Sequence, residues 1–176
     1  AVSFGTSHAD TREKTIDRIE EDIQKAYPDD KVYRAWTSKM IIKKLRERDG
    51  IEVDTVAQAL EKLEAEGYST VICQPTHVMG GFEFDDVKRE VENWKGRFDH
   101  IACGWPLLTS SEDFEKVTEA LVQEFSDIPS DAALVLMGHG TEHPANATYP
   151  ALDYRLKARG CKNFFVGTVE GYPDLQ

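Results

Sequence analysis

The sequence predicts an α/β protein: a parallel sheet with helices on both faces. Three observations predict it. Short apolar runs alternate with segments of helical periodicity along the whole chain. The runs at 69–74, 100–104 and 132–137 have the apolar centres Val71-Ile-Cys73, Ile101-Ala-Cys103 and Leu134-Val-Leu-Met137, as buried strands do. Each is separated from the next by a helical segment, which calls for βαβ units.

The elements follow in order. Residues 1–4 form a first short strand, ending at Gly5-Thr-Ser-His8. Ile16, Ile19, Ile23 and Ala26 recur at helical spacing, so 11–27 is a helix, with Asp10 or Thr11 as its N-cap and Pro28 past its exit. A strand is expected over 31–36 and a helix over 38–48, with Met40, Ile41, Ile42 and Leu45 on its buried side and Asp49-Gly50 as the stop. Val56, Leu60 and Leu63 give a helix over 54–66, closed by Gly67. Then come a strand at 69–74, a helix at 82–94, a strand at 100–104, a helix at 111–125, a strand at 132–137, a helix at 145–159 and a strand starting at 163.

The formal net charge is −11, which repels phosphate backbones and argues against a nucleic-acid partner. No apolar run is long enough to cross a bilayer. Cys73, Cys103 and Cys161 lack zinc-site spacing and read as free thiols, the first two buried in apolar runs; a cytoplasmic setting is expected, with a periplasmic one left open. There is no GxGxxG or GxxxxGK[ST] phosphate cradle and no GxSxG elbow. Asn146-Ala-Thr148 matches a glycosylation acceptor pattern too short to carry weight.

In parallel sheets ligands bind beyond the carboxyl ends of the strands. His8, His77, His139 and His143 all lie on loops that follow strands; only His100 does not. His139 ends an apolar run and sits between Gly138 and Gly140, which permits a tight turn and close approach of a bulky ligand. Glu170 lies in the loop after the next strand. If those strands are neighbours, the two converge as a partial shell for Co²⁺, Fe²⁺ or Ni²⁺. For Glu83, an active-site role and a place in a helix's first turn are evenly balanced; for Asp85 and Asp86 the helix turn is favoured. His77 suits a metal or a haem-like macrocycle, or is a loop histidine with no role. His143 reads as a helix-start residue rather than a ligand, and His8 as part of an entry turn.

Val2-Ser-Phe-Gly-Thr-Ser7, Thr37-Ser-Lys-Met-Ile-Ile-Lys-Lys-Leu45, Arg48-Asp-Gly-Ile51, Gln74-Pro-Thr-His77, Met137-Gly-His-Gly140 and Val166-Gly-Thr-Val-Glu-Gly-Tyr-Pro173 together resemble the anaerobic cobalt chelatases of cobalamin synthesis, which act on sirohydrochlorin. The resemblance runs the length of the chain. It implies a class II chelatase fold of two similar α/β domains with a tetrapyrrole cleft between them. Here 1–130 would be the N-terminal domain and 131–176 the start of the second. It implies insertion of Co²⁺ into sirohydrochlorin without ATP, with His139 and Glu170 as metal ligands and Glu83 in the active site. His77 is assigned to binding the tetrapyrrole. Fe²⁺ or Ni²⁺ on the same substrate, or a tetrapyrrole or metal carrier without catalysis, are the alternatives; a periplasmic-binding-like module is a remoter one. The family's second metal-binding histidine lies in a Gly-Asp-His-Ala-like segment that this sequence lacks. The expectation is therefore an incomplete chain, or a site completed by another subunit. A homo-oligomer is expected, since half-length chelatases pair.

Overall fold

The structure is a computed structural model that describes residues 1–174. Its strands are β1 (Val2–Ser3), β2 (Ala35–Trp36), β3 (Thr70–Cys73), β4 (His100–Cys103), β5 (Leu134–Gly138) and β6 (Phe164–Thr168). The helices are α1 (Ala9–Lys14), α2 (Ile16–Ala26), α3 (Lys39–Asp49), α4 (Val56–Ala65), α5 (Phe82–Asn93), α6 (Ser111–Glu124) and α7 (Thr148–Ala158), with a 3₁₀ turn at Pro144–Ala147. Every strand pair is parallel: β1 with β2, β3 with β4, β5 with β6. The α/β class and parallel pairing expected from the sequence are therefore present.

The described residues pack as two compact units, 1–77 with 83–106 and 78–82 with 107–174. In the first, Val2 N–H donates to the Gln74 carbonyl and Thr76 N–H to the Val2 carbonyl, each at 2.8 Å. These bonds join the two ladders in the order β2-β1-β3-β4. One core lies between the sheet and α4 and α5, built from Val2, Ala35, Leu60, Val71, Val87 and Trp94. A second, of Ile16, Trp36, Leu45 and Val53, lies on the other face under α2 and α3. In the second unit α6 and α7 bury Leu108, Leu152, Leu156, Phe164 and Val166. The opposite face of that ladder, with Val135, Met137 and Phe165, is exposed. Leu156 is 0% exposed, so Leu156→Ala should cost about 2–5 kcal/mol of stability, read as a lower denaturation midpoint at an unchanged slope.

Local chemistry explains the element ends. Ser38 accepts from Ile41 N–H to cap α3, and Gly50, at φ 65°, closes it. Thr55 with Gln58 and Ser110 with Asp113 form capping boxes for α4 and α6.

Several expectations are corrected. The helix over 11–27 is two helices: Thr15 leaves helical geometry and its hydroxyl donates to the Thr11 carbonyl at 2.7 Å, the back-bonding that bends helices. The N-cap is His8, not Asp10 or Thr11. The strand over 31–36 shrinks to Ala35–Trp36, the residues that face β1 partners. Met40 is 77% exposed, because residues on one helix advance 100° each and Leu45 fixes the inward direction. The helix over 145–159 starts as a 3₁₀ turn. All three cysteines are free, yet only Cys73 is buried; Cys103, its cross-strand neighbour, is half-buried. Burial pushes the Cys73 thiol up to about 11, which leaves it a neutral core group at ordinary pH.

Candidate functional site

β5 and β6 run side by side in register from Leu134–Phe164 to Gly138–Thr168. The condition for His139 and Glu170 to converge, that their strands be neighbours, is met. The contact continues past the strand ends: Val169 N–H donates to the Gly138 carbonyl at 3.1 Å and Glu170 N–H to the His139 carbonyl at 2.7 Å. Both side chains are exposed at this carboxyl edge.

The glycines around His139 are needed for distinct reasons. A Cβ on Gly138 would meet the Tyr149 ring at 2.1 Å. Gly140 has φ 89°, and a Cβ there would lie 1.5 Å from the Glu170 carbonyl oxygen. Only glycine lets the two exits lie this close. The Gly140 N–H donates to the Tyr149 hydroxyl at 3.3 Å. His139 Nδ1 lies 3.3 Å from the Gly140 carbonyl oxygen. A carbonyl can only accept, so as a hydrogen bond that contact takes the tautomer with N–H at Nδ1, in which the Nε2 lone pair is open to a metal.

The loop after β6 is anchored behind Glu170. Thr168, fully buried, donates from its backbone at 2.7 Å and its hydroxyl at 2.9 Å to the Pro173 carbonyl. Asn146 joins the two loops: its Oδ1 accepts from Thr141 N–H at 3.1 Å and its Nδ2 donates to the Tyr172 carbonyl at 2.7 Å. His143 acts as a helix-start residue, its Nδ1 accepting from Ala145 N–H at 3.0 Å and its ring edge-on to Phe82 at 4.8 Å.

His77 and Glu83 belong to the other unit. Both His77 ring nitrogens are buried with no hydrogen-bond partner among the described residues. A neutral imidazole always carries one donor and one acceptor, so this is a costly arrangement of the kind kept for binding or catalysis. Two other orphaned buried groups, Trp36 Nε1 and Thr37 Oγ1, also lie at a strand's carboxyl end, that of β2. The sequence places both on a loop after a strand, and Thr37 opens one of the matching motifs, but it gives neither a role. Desolvation holds the His77 pKa below its ordinary value, against the pull of the Glu83 charge. Glu83 is exposed in the first turn of α5. Asp85 pairs with Lys88 at 3.3 Å and Asp86 with Arg89, so those two acids serve the helix.

A depressed histidine pKa has a definite sign. Below about pH 6.5 the unfolded chain takes up a proton that folded His77 refuses. Stability therefore falls as pH drops from 6.5 toward the folded pKa. His77→Gln should flatten that acid limb, read as denaturation midpoints at neutral and mildly acidic pH that differ less than in the parent.

No group of three or more His, Cys, Asp or Glu side chains able to hold a metal occurs among the described residues. Arg34 is held by Asp17 and Glu20, and Lys43 pairs with Glu47. Lys39 and Lys44 are exposed on α3. No helix among the described residues is long and apolar enough to cross a membrane.

The chain is 43% identical over 174 residues to the sirohydrochlorin cobaltochelatase of Salmonella typhimurium, covering 99% of this chain and 66% of that protein. It is 33% identical over 173 residues to the sirohydrochlorin cobaltochelatase CbiKC of Nitratidesulfovibrio vulgaris, covering 97% of this chain and 60% of that protein. It thus spans slightly less than two thirds of the length of these relatives. The family profile described as cobalt chelatase (CbiK) matches residues 1–176, from end to end. The chain belongs to the cobalt chelatase (CbiK) family.

Proposed function

We propose that this chain inserts Co²⁺ into sirohydrochlorin without ATP, as a lyase-type chelatase of cobalamin synthesis. The observation that carries the reading is the 2.7 Å bond from Glu170 N–H to the His139 carbonyl, which brings an imidazole and a carboxylate to one sheet edge. The activity named for both relatives supports the substrate and the metal.

His139 Nε2 and Glu170 hold the incoming ion with coordination positions left open. Removing water from a divalent ion is costly, so protein donors take over before the ring nitrogens do. Two pyrrole N–H protons leave as Co²⁺ enters; charge balances as two protons out for one dication in. His139, relieved of the metal, accepts one of them. Glu83 assists proton removal, and His77, kept neutral by burial, binds the ring. The proposal extends to a homo-oligomeric protein of the cytoplasm, with 1–130 as a first domain and 131–176 as the start of a second. Fe²⁺ or Ni²⁺ replaces Co²⁺ at the same donors if either is the working metal, since an imidazole and a carboxylate suit all three.

The test is turnover. A small amount of the protein is mixed with excess sirohydrochlorin and CoCl₂, and the absorption change of the macrocycle is followed. A chelatase converts many equivalents, faster than the metal and ring do alone. A carrier stops at one equivalent, and that result overturns the catalytic reading.

A further inference from the structure

We propose that the side-chain amide of Asn146 is a positioning group that sets His139 and Glu170 at one coordination point. This rests on the reading of those two residues as the metal-holding pair.

Asn146 reaches both loops at equivalent places. Its Oδ1 accepts from the N–H of Thr141, two residues beyond His139, at 3.1 Å. Its Nδ2 donates to the carbonyl of Tyr172, two residues beyond Glu170, at 2.7 Å. A backbone N–H can only donate and a carbonyl can only accept, so the amide orientation is forced by its partners. Only a group carrying a donor and an acceptor side by side spans this gap. Aspartate lacks the donor, and an apolar residue lacks both.

The clamp is itself held. Asn146 sits in the 3₁₀ turn Pro144–Ala147, whose entry is fixed by His143 accepting from Ala145 N–H. Asn146 N–H donates to the His143 carbonyl at 2.9 Å. The fit to the second loop is close: a Cβ on Gly171 would come within 2.8 Å of Asn146 Oδ1. The Asn146-Ala-Thr148 pattern thus has a structural use, with both polar atoms of the amide engaged inside the protein.

Groups that orient metal ligands without touching the metal are worth about 10–100-fold in affinity. The experiment titrates CoCl₂ into the whole 176-residue chain and into its N146A, N146D and H139A variants, following the visible absorption of bound Co²⁺. Circular dichroism melts run alongside, and affinities are compared at a temperature where each variant is folded. The expected result is a Co²⁺ affinity lowered about 10–100-fold in N146A, and lowered also in N146D, which keeps the Thr141 bond but loses the Tyr172 bond. If N146A does not fold, N146D carries the comparison. A merely structural role lowers the melting temperature and leaves the affinity of the folded variants at the parental value, which overturns the positioning role. H139A separates the two layers. Lost binding in H139A beside parental binding in the Asn146 variants overturns only this inference. Parental binding in H139A removes the metal-holding pair on which it rests.

Discussion

His139→Ala is expected to abolish cobalt insertion while leaving the fold intact. The imidazole is exposed at the end of β5 and belongs to none of the three cores, so its removal opens no cavity. Among the described residues its polar contact, from Nδ1 to the Gly140 carbonyl, is on the loop's own backbone. The bonds that shape the loop run through the Gly138 and His139 carbonyls and the Gly140 N–H, and alanine keeps all three. What alanine loses is the Nε2 lone pair. Merely misorienting a metal ligand costs about 10–100-fold, so deleting one should lower turnover by at least about 100-fold. Initial rates with sirohydrochlorin and Co²⁺, beside a thermal melt, check both halves. Parental turnover in a folded His139→Ala protein would remove the residue from its role.

Gly140→Ala is expected to damage the same site by a different route. At φ 89° an L side chain is strained, and the added Cβ would sit 1.5 Å from the Glu170 carbonyl oxygen and 2.3 Å from its carbon. These are backbone atoms that no rotamer change can move aside. The loops must part, breaking the Glu170–His139 bond of 2.7 Å. Strain and overpacking of this kind cost about 1–3 kcal/mol each, so a loss of about 2–6 kcal/mol is expected, together with loss of Co²⁺ binding. Gly160→Ala is the control. Its φ is similar, 87°, but nothing lies within 4 Å of the new Cβ. It should cost only the backbone term, about 1 kcal/mol, with Co²⁺ affinity unchanged. Denaturant midpoints and metal titrations on both variants separate the contact from the conformation.

Much of the fold was legible because it is dictated locally. The apolar runs at 69–74 and 100–104 become β3 and β4, and the stop at Gly50 falls where a left-handed residue closes α3. Where a side chain competes with the backbone, periodicity misleads. Ile16, Ile19 and Ile23 all lie in α2, and the expected helix fails only before them, where Thr15 breaks it through its own hydroxyl. The stripe drawn through Met40 counted hydrophobic residues without their direction.

The candidate site was half legible. Glycines flanking a histidine after an apolar run marked the loop, because glycine signals a close approach. The sequence offered Glu170 as the partner only if the two strands were neighbours, and read the glycines as room for a ligand; what lies against Gly140 is the Glu170 backbone, brought alongside by the register of β5 and β6. Asn146 carried no readable signal beyond a misleading acceptor pattern, since its partners lie five and 26 residues away. Trp36 and Thr37 were likewise invisible as polar groups, their lack of partners being a property of the packed sheet.

Cobalt located by anomalous scattering in crystals of this chain soaked with CoCl₂ tests the shared coordination point most directly. The account predicts one ion bound by His139 Nε2 and a Glu170 carboxylate oxygen, each at roughly 2.0–2.2 Å, as such donors bind comparable divalent ions. An ion bound elsewhere, or side chains too far apart to touch the same ion, would contradict it.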